Sequence, residues 1–185
     1  MGYWHSRGLR GSYLESLINT TNQLYLEHEL AVVQKLPTAI TPVELDKQKG
    51  TIKLAYFDAK STVDYMGNVQ GIPVCFDAKE TNLKNLPLYN IHDHQIAFMD
   101  AFQKQDGLAF LIVLFKKIDQ CFLLPFEVLK HYWDGAQRDG RHSIPLSAFE
   151  NRYRIQESGH IQLHYLEALN TYLSDLKNQK EALLR

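Results

Sequence analysis

Residues 61–81 read STVDYMGNVQGIPVCFDAKET. The stretch has the form of a β-hairpin, with a turn inside 66-MGNVQG-71 and an apolar second arm, 72-IPVCFDAK-79. A hairpin needs alternation and a turn. It does not need Asp64, Asp77 and Lys79. Side chains on a strand alternate faces, so Ile72, Val74 and Phe76 share one side while Cys75, Asp77 and Lys79 share the other. The second arm thus presents a carboxylate and an ammonium together. The turn can bring Asp64 near Asp77, with the register left open.

Two converging carboxylates repel each other unless a positive charge lies beside or between them. A hard divalent cation such as Mg2+ suits them, because it takes oxygen ligands and keeps several waters. Lys79 would then stand next to water and phosphate, which is the setting of metal-assisted phosphodiester hydrolysis. The plain alternative is an Asp77–Lys79 or Asp64–Lys79 ion pair on a solvated sheet face.

Around the hairpin, the 185 residues, 45% of them hydrophobic, fit one globular domain with a sizeable core. Cys75 and Cys121 lie in apolar runs with no C-x-x-C spacing, so buried thiols of a reducing compartment are expected. The longest apolar run, 108-LAFLIVLF-115, is too short to span a bilayer, and no charged start leads into an apolar core. A cytoplasmic protein with no membrane partner is expected. The net charge of −1 argues against a generally basic nucleic-acid binder but leaves room for local basic surfaces. Positive charge gathers at Arg7 and Arg10, at Lys47, Lys49, Lys53 and Lys60, and in the segment that holds Arg141.

Residues 12–29 carry apolar residues at helical spacing, with Ser12 and Glu15 placed as a capping box. Residues 30–36 read as a strand, 37–50 as a protruding segment with two prolines, and 51–57 as a strand. A second helix covers 91–105. Strands follow at 108–115 and 120–124, a short helix at 125–133, and a last helix at 161–184. The order suggests an α/β fold, an α+β mixed sheet flanked by helices. In the second helix Gln95 shares a face with Phe98 and Phe102, where an amide needs a partner or a task. His92 and His94 are two apart, so on a helix they point away from each other and no zinc pair is expected.

These residues together resemble the PD-(D/E)xK nuclease superfamily, and within it the RecU-type Holliday junction resolvases. The chemical set is Glu15, Asp64, Asp77-Ala78-Lys79 and Gln95. Around it run Arg7-Gly8 with 14-LESLINTTN-22, then 35-KLPT-38, 61-STVDYMG-67, 77-DAKET-81, 87-PL-88 with 92-HDHQ-95, and 140-GRHSIP-145. The resemblance covers roughly residues 6–150 in order.

The resemblance implies a type II restriction-endonuclease-like fold with a protruding stalk. The chain would be a single nuclease domain over 1–185, with a basic arm at 1–11, the stalk at 37–53 and a C-terminal helix at 161–184. It would act as a homodimer that nicks four-way junction DNA symmetrically with Mg2+, or with Mn2+ as a substitute, in recombination and repair. Recombinase or branch-migration proteins would be further partners. Asp64 and Asp77 would hold the metal, helped by Glu15 and the Ala78 carbonyl. Lys79 would orient or activate the attacking water, and Gln95 would position water or phosphate. Arg7, Arg10, Lys47, Lys49, Lys53, Lys60 and Arg141 would meet DNA.

Two departures stand out. The second acid is Asp77, one methylene shorter than the glutamate of many members, and the stalk carries no arginine. Two other functions fit the same residues. One is another repair or restriction nuclease on this fold. The other is a junction-binding or recombinase-modulating protein with weak or lost catalysis. The last helix is expected to pack on the sheet.

Overall fold

The computed structural model describes residues 13–57, 62–138 and 140–183. Arg7, Arg10 and Lys60, the 1–11 arm and the Ser12 cap lie outside the described residues. The quoted stretch forms β4 (Tyr65–Val69) and β5 (Ile72–Thr81), antiparallel, joined by Gln70 and Gly71. Both turn residues have positive φ, 49° and 93°, which matches the twist a two-residue hairpin turn needs. Asn68 Oδ1 accepts the Gly71 N–H at 2.7 Å and closes the turn.

Beside β5 runs β7 (Leu108–Phe115), in parallel, after a crossover that carries α2 (Asp93–Gln103). All eight residues of β7 are buried. That explains its unbroken apolar run: helices cover both faces of this strand. On the far side of β7 lie β8 (Gln120–Pro125) and the short β10 (Arg154–Ile155). On the near side β1 (Val32–Lys35) pairs with β4 and forms the edge. Among the described residues the sheet thus runs β1-β4-β5-β7-β8-β10.

Alternation along β5 splits the core into two layers. Val74 and Phe76 face α1 (Tyr13–Glu27) and α4 (Tyr165–Leu183), packed with Leu14, Ile18, Tyr65, Tyr165 and Leu169. Cys75 faces α2 and α3 (Phe126–Ala136), packed with Ile96, Met99 and Leu129. Both cysteines are free and buried. Small strands β6 (Asn85–Pro87) and β9 (Ser143–Pro145) pair at the rim and tie the 140–145 segment to the loop after β5.

Three sequence expectations change. The segment expected as a strand at 51–57 does not join the main sheet. It is β3 (Thr51–Phe57), and it pairs with β2 (Ile40–Asp46) as a two-stranded ribbon. The ribbon runs on to Phe57, past the end of the segment expected at 37–53, because Leu54–Phe57 pair back onto Ile40–Glu44. The last helix begins at Tyr165 and not at 161, since Ser158 and Ile161 form a bridge that turns the chain first. It packs on the sheet as expected, with Tyr165, Leu166, Ala168, Leu169 and Tyr172 buried.

Candidate metal and phosphodiester site

The hairpin register sets Tyr65 opposite Phe76. The next pair along the two arms is therefore Asp64 and Asp77, which converge on the α2 side of the sheet. Asp77 is fully buried. Its Oδ1 accepts the Asp64 backbone N–H at 2.7 Å. In return Asp64 Oδ2 accepts the Ala78 N–H at 3.0 Å. Each acid is thus held by the other's strand.

The second oxygen of Asp77 receives Lys79 Nζ at 2.9 Å and the Gln95 amide. Lys79 shares Asp77's face, two residues on, as alternation requires. Gln95 comes from the first turn of α2 and is committed at both ends: its Nε2 meets Asp77, and its Oε1 accepts the His92 N–H at 3.0 Å. It caps its own helix and fixes an acid at once. The amide on the apolar face has its partners here.

Burial raises the Asp64 carboxyl most, from 3.8 up to about 6. The Asp77 charge adds to this and Glu15 adds a little, against the Ala78 N–H and Lys79. Burial first and the Asp77 charge second push the Cys75 thiol up to about 12, so it stays protonated.

Glu15 comes from α1, on the other face of the sheet, and its charge is felt at Asp64. Its carboxylate meets Lys35 Nζ at 2.7 Å. The start of α1 has a partner that sequence reasoning missed: Glu80 Oε1 accepts the Leu14 N–H at 2.7 Å. Glu80 also pairs with Lys116 at 3.0 Å. The signal was the alternation itself, since Glu80 falls on the α1 face of β5.

Among the described residues no group of three or more His, Cys, Asp or Glu side chains is arranged to hold a metal. Two carboxylates converge, and that donor set fits a hard divalent cation whose shell is completed by water and phosphate. The raised Asp64 carboxyl belongs to the same setting, with burial as its first cause and the neighbouring Asp77 charge as its second. His92 and His94 do not point apart as expected. His92 is extended and precedes the helix, so the two rings stack at 5.3 Å and 12°.

Of the expected DNA residues, the described ones, Lys47, Lys49, Lys53 and Arg141, are exposed at separate places on the surface. Asp46 Oδ1 accepts the N–H groups of Gln48 and Lys49, both at 3.1 Å, and so shapes the ribbon tip that carries Lys47 and Lys49. Lys53 faces Glu44 at 3.6 Å on the ribbon. Arg141 Nε donates to Ser143 Oγ at 3.2 Å beside β9. The ribbon also exposes Ile40, Val43, Leu45, Ile52, Leu54, Tyr56 and Phe57. Among the described residues the two strands build no core of their own, and these apolar side chains are exposed.

A family model described as "RecU: Recombination protein U" matches residues 9–171. A Holliday junction resolvase RecU from Pediococcus pentosaceus is 41% identical over 174 residues, which is 91% of this chain and 87% of that protein. One from Staphylococcus carnosus is 38% identical over 173 residues, 91% and 83% of the two chains. Among solved structures, Hjc of Archaeoglobus fulgidus, a Holliday junction resolvase, superposes with a TM-score of 0.43 at 7% identity over 71% of this chain and 88% of that one. That likeness is too weak to add to the family match.

Proposed function

The chain belongs to the RecU family, and from that premise we propose that it is a divalent-metal-dependent endonuclease that resolves four-way DNA junctions by symmetric nicking in recombination and repair. The observation that carries this is the Asp64–Asp77 pair, in which a half-buried carboxylate converges on a fully buried one with the Lys79 ammonium beside them. Holding such a pair together costs stability, which a purely structural ion pair would not require.

Asp64 and Asp77 would hold Mg2+, or Mn2+ in its place, with the Ala78 carbonyl and Glu15 contributing from the edge. When bound, such an ion supplies positive charge against the phosphate and acidifies an attacking water. The rest falls to the chain. Gln95 and the Asp64 N–H fix the two oxygens of Asp77, so the acid keeps one orientation. Lys79 stands at the mouth of the pair, partly exposed, where its ammonium meets the incoming phosphate and orients the water. Its link to Asp77 keeps it there.

The substrate has two-fold symmetry, and a homodimer matches it with one site per strand. The ribbon at 40–57 would enter the junction centre, with its apolar side chains against splayed bases and Lys47, Lys49 and Lys53 on phosphates. Arg141 would meet the backbone nearer the site, with Arg7, Arg10 and Lys60 as further contacts. The whole chain would then be one nuclease domain with an arm, a stalk and a C-terminal helix that completes the core. Among the described residues no helix is long and apolar enough to cross a membrane. The protein would work in the cytoplasm on the nucleoid, with recombinase or branch-migration proteins as neighbours.

The test is substrate choice. With Mg2+, wild-type protein should nick a mobile four-way junction at symmetric positions far faster than a linear duplex of the same sequence. Preferential cutting of the linear duplex would make it a different nuclease on this fold.

A further inference from the structure

On the reading of Asp64, Asp77 and Glu15 as a metal site, we propose that Tyr65 is the positioning residue that sets where Glu15 stands relative to the two aspartates. The three acids do not come from one layer. Asp64 and Asp77 belong to the hairpin and face α2, whereas Glu15 belongs to α1 on the opposite face. Something must hold that helix turn in register with the strands.

Tyr65 does this from the residue next to Asp64. Strand alternation turns its ring toward α1. The ring is fully buried and stacks on Phe76 at 4.8 Å and 11°. Phe76 is its register partner and the neighbour of Asp77. The phenol is therefore seated on the same two arms that carry the acids.

Its hydroxyl reaches across to α1. It donates to Asn19 Oδ1 at 3.0 Å, with the Glu15 carbonyl at 3.4 Å as a longer second acceptor. One proton serves both, so Asn19 is the main partner. Asn19 lies one turn beyond Glu15, and the two contacts grip a single helical turn. Glu15's side chain leaves that turn toward Lys35. Without the hydroxyl, the start of α1 still has the Leu14–Glu80 bond and the packing of Leu14 and Ile18. Its loss should shift the turn and leave the fold standing.

A matched comparison exists on the same helix. Tyr165 donates to Asn22 Oδ1 at 2.6 Å, further along α1 and away from Glu15. Tyr165→Phe also removes one buried hydroxyl, so it reports what a merely structural loss does.

The experiment measures Mn2+ binding to the full chain by calorimetry, with Tm and the Mg2+ dependence of junction cleavage alongside. Tyr65→Phe and Asn19→Ala should each weaken Mn2+ binding by about fivefold, the worth of one neutral hydrogen bond. The Mg2+ needed for half-maximal cleavage should rise by the same factor. Tyr165→Phe should lower Tm comparably and leave Mn2+ binding within about twofold of wild type. Wild-type Mn2+ affinity in Tyr65→Phe, or equal weakening in Tyr165→Phe, would overturn the role assigned to Tyr65. Asp64→Asn is the reference: if it binds Mn2+ like wild type, the metal site itself fails, and the role of Tyr65 falls with it.

Discussion

Asp64 carries a charge that the metal-free protein does not want. Its carboxyl is raised from 3.8 to about 6, chiefly by burial and then by Asp77. Between those values the folded chain holds a proton that the unfolded chain has released. Stability therefore falls as pH rises through the window and stays at its lower level above it. Asp64→Asn should raise metal-free stability above pH 6 by on the order of 2 kcal/mol, with no gain below the window, and should abolish cleavage. Urea unfolding against pH measures it; an unchanged or lower stability at pH 8 would contradict the assignment. Gln95→Leu strips Asp77 of its amide and leaves the His92 N–H without its partner. It should cost about 1–3 kcal/mol and slow cleavage, as chemical denaturation and junction nicking would show. At this scale the sequence was informative about which side chains share a face. It was silent on which atoms meet, because the Asp64–Asp77 bond depends on a register set by the Gln70-Gly71 turn.

The element that closes the sheet depends on Gly67. A Cβ built there would lie 2.1 Å from the Val32 carbonyl oxygen and 2.6 Å from Val33 Cα, so β1 can reach β4 only over a glycine. Gly67→Ala should cost about 1–3 kcal/mol and speed amide exchange at Val32–Lys35 more than in β7. The ribbon should behave in the opposite way. Leu45 and Leu54 are 55% and 49% exposed, so Leu45→Ser and Leu54→Ser should leave stability within about 0.5 kcal/mol. Junction binding by gel shift should weaken for both if the ribbon enters the junction. Strands 108–115 and 120–124 were legible from their apolar runs, since helices bury both faces. The 51–57 strand was legible as a strand and misplaced in the sheet, because alternation says that a segment is extended and not what it pairs with.

For the molecule as a whole, α4 is part of the core. Its Tyr165, Leu169 and Tyr172 are buried, Tyr172 donates to Glu127 at 2.6 Å, and Tyr153 donates to Asp175 at 2.6 Å. A chain ending at His164 should not fold: each large buried side chain contributes about 1.5–3 kcal/mol, and several together exceed a typical 5–15 kcal/mol stability. Circular dichroism of the truncated chain checks this. The helix was legible from its leucine spacing, but its tyrosine hydrogen bonds join residues far apart in sequence and left no local mark. On the proposed function, the hairpin acids do the cutting while other surfaces do the binding. One paired assay tests it, with wild type and Asp77→Ala on a mobile four-way junction in Mg2+, scored for binding and for cleavage. Wild type should nick the junction symmetrically, and the variant should bind it without cutting. Cutting by Asp77→Ala at the wild-type rate, or binding without cutting by both, would contradict it.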